Sequence, residues 1–286
     1  MPPTVESFLN SFTRTLDEPV RDHLKNVYAC LSLSLIVAAA GAYVHMFTEI
    51  LSASFLTVLA TTGLLLTLLC IPDNDKNRNL RIGLLLGIAF FSGMGMGPLL
   101  EIVVQINPQI VMTSFIGTAV LFGCFSAAAL TARRGQWLYL GGTLMTMLAS
   151  LIVLSLANIF LGSQLIFQAY LYLGLLIMCG FVLYDTQLII EKRLAGDKDF
   201  VTHSIDLFID FIGIFRRLMV ILSQKVSYLV LLILLVVHRI LERKNPERYV
   251  IERKSHHFSV NMSYPKKKSL LLIFTLFSRI SVFLFI

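Results

Sequence analysis

Two aspartates draw attention because each is embedded in an otherwise apolar stretch. Asp185 lies within CGFVLYDTQLII, and Asp210 lies within DLFIDFIGIF. An ionisable side chain at the centre of a membrane costs at least about 2.5–3.5 kcal/mol, so it is a functional candidate by default. If the two carboxyl groups meet, they cannot both ionise cheaply, and they share one proton. Such a pair would act as a pH-sensitive latch, and when ionised it would offer the hard oxygen ligands that calcium prefers.

Further charged residues could support this pair, and four are candidates: Asp206, Glu101, Arg216 and Arg217. Asp206 precedes Asp210 by one helical turn and shares its helix face. The two arginines could pair with Asp210 or mark the cytosolic boundary of their segment. The glutamate ends an apolar run near the predicted non-cytosolic mouth, where it could attract cations or simply be solvated.

A purely structural role for the two aspartates stays open, in which each carboxyl group bonds a neighbouring hydroxyl, amide or arginine. Two aspartates in membrane helices also suggest an intramembrane aspartyl protease. The GxGD motif of that class is absent, because Asp210 follows the residues LFI. No serine or zinc protease constellation is present either. The sequence therefore predicts no enzyme, no cofactor and no firm metal site, only transient calcium near Asp185 and Asp210.

The segments that must position these residues are membrane spans. Hydrophobic residues make up 56% of the chain and charged residues 14%, with a mean hydropathy of +0.78, whereas soluble domains are about 25% charged. Apolar runs near the length needed to cross the membrane occupy 28–48, 51–71, 82–104, 110–131, 137–160 and 165–190, and a shorter run occupies 204–223. Because no alternating barrel pattern appears, the sequence predicts an all-α polytopic bundle of six or seven transmembrane helices.

The basic residues give this bundle an orientation. Eleven Lys and Arg residues precede span one or lie in the loops after spans two, four and six, and the alternate loops contain none. The positive-inside rule therefore makes residues 1–27 a cytosolic N-terminal segment and 28–223 the membrane bundle. The same placement, without an aromatic–basic face, argues against nucleic acid as a partner despite the net charge of +7.

Segment seven, 204–223, carries more charge than a helix facing lipid tolerates, since it contains Asp206, Asp210, Arg216 and Arg217. It is therefore predicted to be central, wrapped by the other six spans, or re-entrant, returning to the cytosolic side.

Several stretches resemble the transmembrane Bax inhibitor motif family, among them LKNVYACLSLSLIVAAAGAYVHM, GMGMGPLLEIVVQINPQI, SFIGTAVLFGCFSAAAL and GFVLYDTQLIIEK. The resemblance runs from about residue 20 to residue 223. It implies a protein of the endoplasmic-reticulum membrane that suppresses stress-induced apoptosis and leaks calcium from the lumen to the cytosol. It also implies that Asp185 and Asp210 form a pH-sensing pair, and that Bcl-2 family proteins are partners.

The C-terminus departs from the pattern of that family, whose members end soon after segment seven with a short lysine-rich tail. Here Lys225 is followed by VSYLVLLILLVVHRI and, at the end, SLLLIFTLFSRISVFLFI. One explanation is that residues 224–286 form an atypical extension translated from an unspliced intron. The apolar runs at 226–240 and 269–286 are near the lower length limit of a membrane span.

Two functions remain in competition. The first is a passive, pH-gated calcium leak in which Asp185 and Asp210 close the path. The second is a membrane regulator that binds Bcl-2 family proteins or other calcium channels of the endoplasmic reticulum. A coupled secondary transporter would need an inverted repeat or paired broken helices, and no convincing repeat is present.

Overall fold

The computed structural model describes residues 17–47, 55–74 and 76–244, with the backbone alone at 55–56 and 226–244. Within these ranges the chain forms eight helices and no strand, which confirms the predicted all-α class. The helices are α1 Glu18–Phe47, α2 Phe55–Cys70, α3 Arg78–Gly95, α4 Gly97–Ile106, α5 Gln109–Thr131, α6 Leu140–Leu161, α7 Gln164–Leu194 and α8 Phe200–Lys244.

The lengths and composition of the helices are those of a polytopic membrane protein. Four of them, α1, α5, α6 and α7, are each long and apolar enough to cross a membrane. Large apolar side chains point outwards, and Phe160 of α6 is 89% exposed, as expected where lipid is the solvent. Several buried hydroxyl side chains return their hydrogen bond to their own helix, as Thr118 Oγ1 does to the Ser114 carbonyl at 2.7 Å. This pattern leaves few polar groups to face lipid.

The predicted span 82–104 is not one straight helix. It is divided into α3 and α4, which meet at Met96 with a bend of 43° and together form a fifth unit long enough to cross. Pro98 lies in the first turn of α4, where the absence of its N–H and the bulk of its ring prevent α3 from continuing.

Helix α8 is the central element. It packs against α1, α3, α4, α5 and α7, while α1–α3 and α5–α7 form two groups that both contact it. Its backbone runs from Phe200 to Lys244 without a break, so segment seven is central and the described helix contains no re-entrant turn. A charged helix is tolerated here because its neighbours, rather than lipid, surround its polar side chains.

Helices α1 and α3 approach each other closely because glycines line their contact. A Cβ atom on Gly93 would collide with the carbonyl oxygen of Ala38, and one on Gly41 would collide with that of Phe90. Small residues allow this separation in membrane bundles, where dispersion contacts and not the hydrophobic effect hold helices together.

The loops rich in basic residues meet at one end of the bundle. Arg134 Nη2 lies 2.9 Å from Asp17 Oδ2, which joins the α5–α6 connection to the start of α1. Arg193, at the end of α7, approaches the Pro19 carbonyl at 3.4 Å. We call this end, formed by the start of α1, the connections 71–77, 132–139 and 195–199 and the first turn of α8, the charged end.

Parts of the terminal segments lie outside the described residues. These are residues 1–16 of the N-terminal segment and residues 245–286 of the extension. The run 226–240 continues the backbone of α8 and does not form a separate helix.

Candidate functional site

The carboxyl groups of Asp185 and Asp210 are in contact at the interface of α7 and α8. A side-chain hydrogen bond joins them. Asp210 is 4% exposed, and Asp185 is half-buried. The second oxygen of Asp210, Oδ2, is buried and accepts no hydrogen bond from the described residues. A bond between two carboxyl groups requires an O–H donor, so a pair joined in this way would hold at least one proton and carry at most one negative charge.

The antiparallel packing of α7 and α8 explains why these two residues meet. Asp185 lies nine residues before the end of α7 at Leu194, and Asp210 lies ten residues after the start of α8 at Phe200. Nearly equal distances from a short connection place both side chains at a similar depth, about 14–15 Å from the helix ends.

Asp206 adds a third carboxylate next to the pair. It lies one turn closer to the charged end than Asp210 and interacts electrostatically with Asp185. Lys192 of α7 faces both Asp185 and Asp206 and offsets part of their negative charge. The site is therefore an acidic cluster with a single lysine on the side of the charged end.

Arg216 and Arg217 lie farther along α8, about 24 Å from its start at the charged end. Arg217 is 3% exposed, donates to the Gly213 carbonyl at 3.2 Å, and places its guanidinium 5.6 Å from the centre of the Tyr170 ring. Arg216 lines a cavity of about 270 Å³ between α2, α3 and α8, together with Thr57. Both arginines therefore lie away from the charged end.

Glu101 belongs to α4 and faces α1. Its Oε1 atom lies 3.3 Å from His45 Nε2, and its side chain is half exposed, whereas the histidine is buried. The glutamate is thus near the end of the bundle opposite the charged end, but it is not part of the Asp185–Asp210 cluster.

The contacts of the charged end itself do not follow from the sequence pattern. Arg81 is one of the eleven basic residues outside the predicted spans, yet its side chain is 3% exposed and lies between Asp73 and Asp199. His23 and His203 contact each other although 180 positions separate them in the chain. No local spacing reveals such pairs; the available signal was that Arg81 lies directly beside the predicted span 82–104.

The cluster does not form a preassembled metal site. Among the described residues, no group of three or more His, Cys, Asp or Glu side chains is arranged to hold a metal ion. Calcium takes about 6–8 oxygen ligands, and two aspartates supply only a few of them.

Comparisons with known proteins identify the family. Residues 20–227 match the family described as "Inhibitor of apoptosis-promoting Bax1". The chain is similar to a protein named Probable Bax inhibitor 1 from Paralichthys olivaceus, with 53% identity over 70% of this chain and 85% of the relative. It is similar to Bax inhibitor 1 of Homo sapiens, with 52% identity over 71% and 86%, and to that of Arabidopsis thaliana, with 42% identity over 74% and 84%. The chain therefore belongs to the Bax inhibitor-1 family of multi-pass membrane proteins.

Proposed function

We propose that this chain is a non-enzymatic protein of the endoplasmic-reticulum membrane that suppresses stress-induced apoptosis by providing a pH-sensitive leak for calcium. The hydrogen bond between the half-buried carboxyl group of Asp185 and the buried one of Asp210 is the observation that carries the proposal. The relatives support the proposal through their name, Bax inhibitor 1, which describes inhibition of a cell-death protein.

The pair would act as a latch between α7 and α8. With one proton present, the carboxyl groups attract each other and hold the helices together. Loss of that proton leaves two negative charges side by side, and two like charges about 4 Å apart repel by roughly 4 kcal/mol at an effective dielectric constant near 20. The two carboxyl groups then separate, or a passing cation neutralises their charges. The contact is therefore weaker at higher pH.

The remaining charges would define the two mouths of the path. We place the charged end in the cytosol, with the N-terminus, because its connections hold the basic residues of the bundle. Asp206 and Lys192 would then face the cytosolic approach to the pair. Glu101 would lie at the luminal side, where a half-exposed carboxylate raises the local concentration of cations.

The test is reconstitution of the full chain into calcium-loaded liposomes, with efflux followed across a pH series. The wild-type chain should leak, and the rate should depend on pH. Asp185→Asn and Asp210→Asn keep the size of the side chain but cannot ionise, so both should flatten the pH dependence. Asp22→Asn, which alters an exposed aspartate paired with Lys25, is the matched control and should keep the wild-type profile.

The competing function is a regulator that binds Bcl-2 family proteins and conducts no ions, which the name of the relatives favours. Liposomes that remain tight at every pH, with correctly folded protein, would contradict the leak and leave this second function. Recovery of Bcl-2 proteins with both the wild-type chain and Asp185→Asn/Asp210→Asn would then support it directly.

A further inference from the structure

Two buried histidines form a direct contact at the charged end. His23 Nε2 of α1 lies 2.9 Å from His203 Nδ1 in the first turn of α8. The two rings are nearly perpendicular, at 80°, with centres 5.2 Å apart. His23 is 6% exposed and His203 is 1% exposed. A hydrogen bond between two ring nitrogens needs one N–H donor and one lone pair, so only one hydrogen can lie between them.

We propose that His23 and His203 form a second proton-responsive site, separate from the aspartate pair, which releases the start of α8 from α1 when both rings are protonated. When both rings are neutral, one donates to the other. When one ring is charged, it still donates to the lone pair of its neighbour. When both are charged, both facing nitrogens carry hydrogen, so the bond is lost and two cations are left in a buried contact.

The charges around the pair act in opposite directions. Asp197 Oδ2, in the α7–α8 connection, lies 3.6 Å from His203 Nε2, the nitrogen that faces away from His23. Asp199 of the same connection also faces the pair, whereas Lys192 and Arg193 of α7 oppose added positive charge. The two aspartates therefore favour one added proton on the pair. The second proton is opposed by the burial of both rings, by the two cations and by the charge of the first proton.

The position of the contact couples it to the rest of α8. His203 lies one turn before Asp206 and two turns before Asp210 on the same helix. A neighbouring bond, from Ser204 Oγ to the Val27 carbonyl at 3.1 Å, also ties α8 to α1, and it does not titrate. Loss of the histidine contact thus weakens this junction without abolishing it. The inference concerns the helix junction and holds whether or not the chain conducts calcium.

The titration of the histidine rings tests the proposal directly. Full-length protein with ¹⁵N-labelled histidine would be placed in lipid nanodiscs and titrated by NMR in the Asp185→Asn/Asp210→Asn background, which removes the aspartate pair. In His23→Gln and in His203→Gln the remaining ring should titrate in one step, at a higher pH than the second step of the intact pair, because the like charge is gone. His45→Gln, which changes another buried histidine of α1, should shift neither step. Unchanged midpoints in both pair variants would overturn the proposal.

A second measurement covers the case in which a glutamine variant folds poorly. In the chain with both histidines present, the two rings should titrate in two separate steps, and amide hydrogen exchange in residues 18–27 should increase at the pH of the second step. The exchange is compared with that of helix α6 in the same protein at the same pH, which corrects for the chemistry of exchange itself. Single, independent titrations with no change in exchange would overturn the proposal.

Discussion

Arg81 Nη2 lies 2.6 Å from Asp199 Oδ2, and the arginine side chain is 3% exposed. The same nitrogen donates to Thr202 Oγ1 at 2.9 Å, and Nη1 lies 3.1 Å from Asp73 Oδ1. One buried cation thus ties α3 to the connection before it and to the first turn of α8. Removal of one partner of a buried ion pair is costly because the other charge stays behind without compensation.

Arg81→Gln should therefore destabilise the bundle strongly, by about 3–5 kcal/mol. Arg134→Gln breaks an ion pair of similar length with Asp17, but both of those side chains are more than half exposed, and an exposed pair contributes about 0–1 kcal/mol. The free energy of unfolding of both variants is measured by titration with a denaturing detergent. The loss of helical circular dichroism is the signal. Equal losses of stability in the two variants would show that burial does not make the ion pairs of Arg81 more important for stability than an exposed pair.

The same contact should respond to acid. Burial raises the pKa of Asp199, but hydrogen bonds from Thr202 and Arg81 and the charge of Arg81 outweigh it, so the pKa lies below its ordinary value of 3.8. A carboxylate with a lowered pKa stabilises the fold above its unfolded-state pKa, and this contribution disappears as the pH falls through the folded-state pKa. The stability difference between the wild-type chain and Asp199→Asn should be full at neutral pH and shrink well below pH 3.8. A difference that does not change down to acid pH contradicts this account.

These two predictions rest on contacts that the sequence did not reveal, and the reason is physical. Membrane spans are readable because length and apolar composition are local properties, and the depths of Asp185 and Asp210 follow from helix geometry around a short connection. The partners of Arg81 and His23 depend on which helix ends meet, and that is fixed only when α8 is placed between the two helix groups. Pro98 accounts for a break near Met96, but the angle of the bend depends on how α3 and α4 pack.

Close packing of α1 on α3 gives a third prediction. Gly93→Ala places a methyl group against the Ala38 carbonyl, so the helices must separate, at a cost of about 1–3 kcal/mol. Gly95→Ala, two residues later, meets nothing within 4 Å, and alanine is the better helix former by about 1 kcal/mol. Thermal unfolding midpoints should therefore fall for the first variant and hold or rise for the second. The opposite order would mean that α1 and α3 do not touch there.

Gln187 supplies a fourth prediction, because its amide joins α7 to the α5–α6 connection. Its Oε1 accepts from the Trp137 amide at 2.7 Å, and its Nε2 donates to the carbonyl groups of Ala129 at 3.2 Å and Arg133 at 3.1 Å. Gln187→Leu leaves these backbone groups without the side chain that satisfies them, at a cost of about 1–3 kcal/mol each for groups that water cannot reach.

Limited proteolysis measures this effect at the connection itself. The 132–139 connection should be cleaved faster in Gln187→Leu than in the wild-type chain. Gln164→Leu, which changes an exposed glutamine at the start of the same helix, is the control and should be cleaved at the wild-type rate. Identical cleavage of all three proteins would show that the Gln187 amide does not hold the connection.

Locking the contact between residues 185 and 210 tests whether that contact closes the path for calcium. Asp185→Cys/Asp210→Cys would be made in a chain whose own cysteines, Cys30, Cys70, Cys124 and Cys179, are replaced, and the two thiols would be joined by a short cleavable cross-linker in calcium-loaded liposomes. We expect the linked protein to release no calcium and cleavage of the linker to restore the leak. In either single-cysteine variant the cleavage should not change the calcium leak. An equal calcium leak before and after cleavage, with the link verified by mass spectrometry, would contradict it.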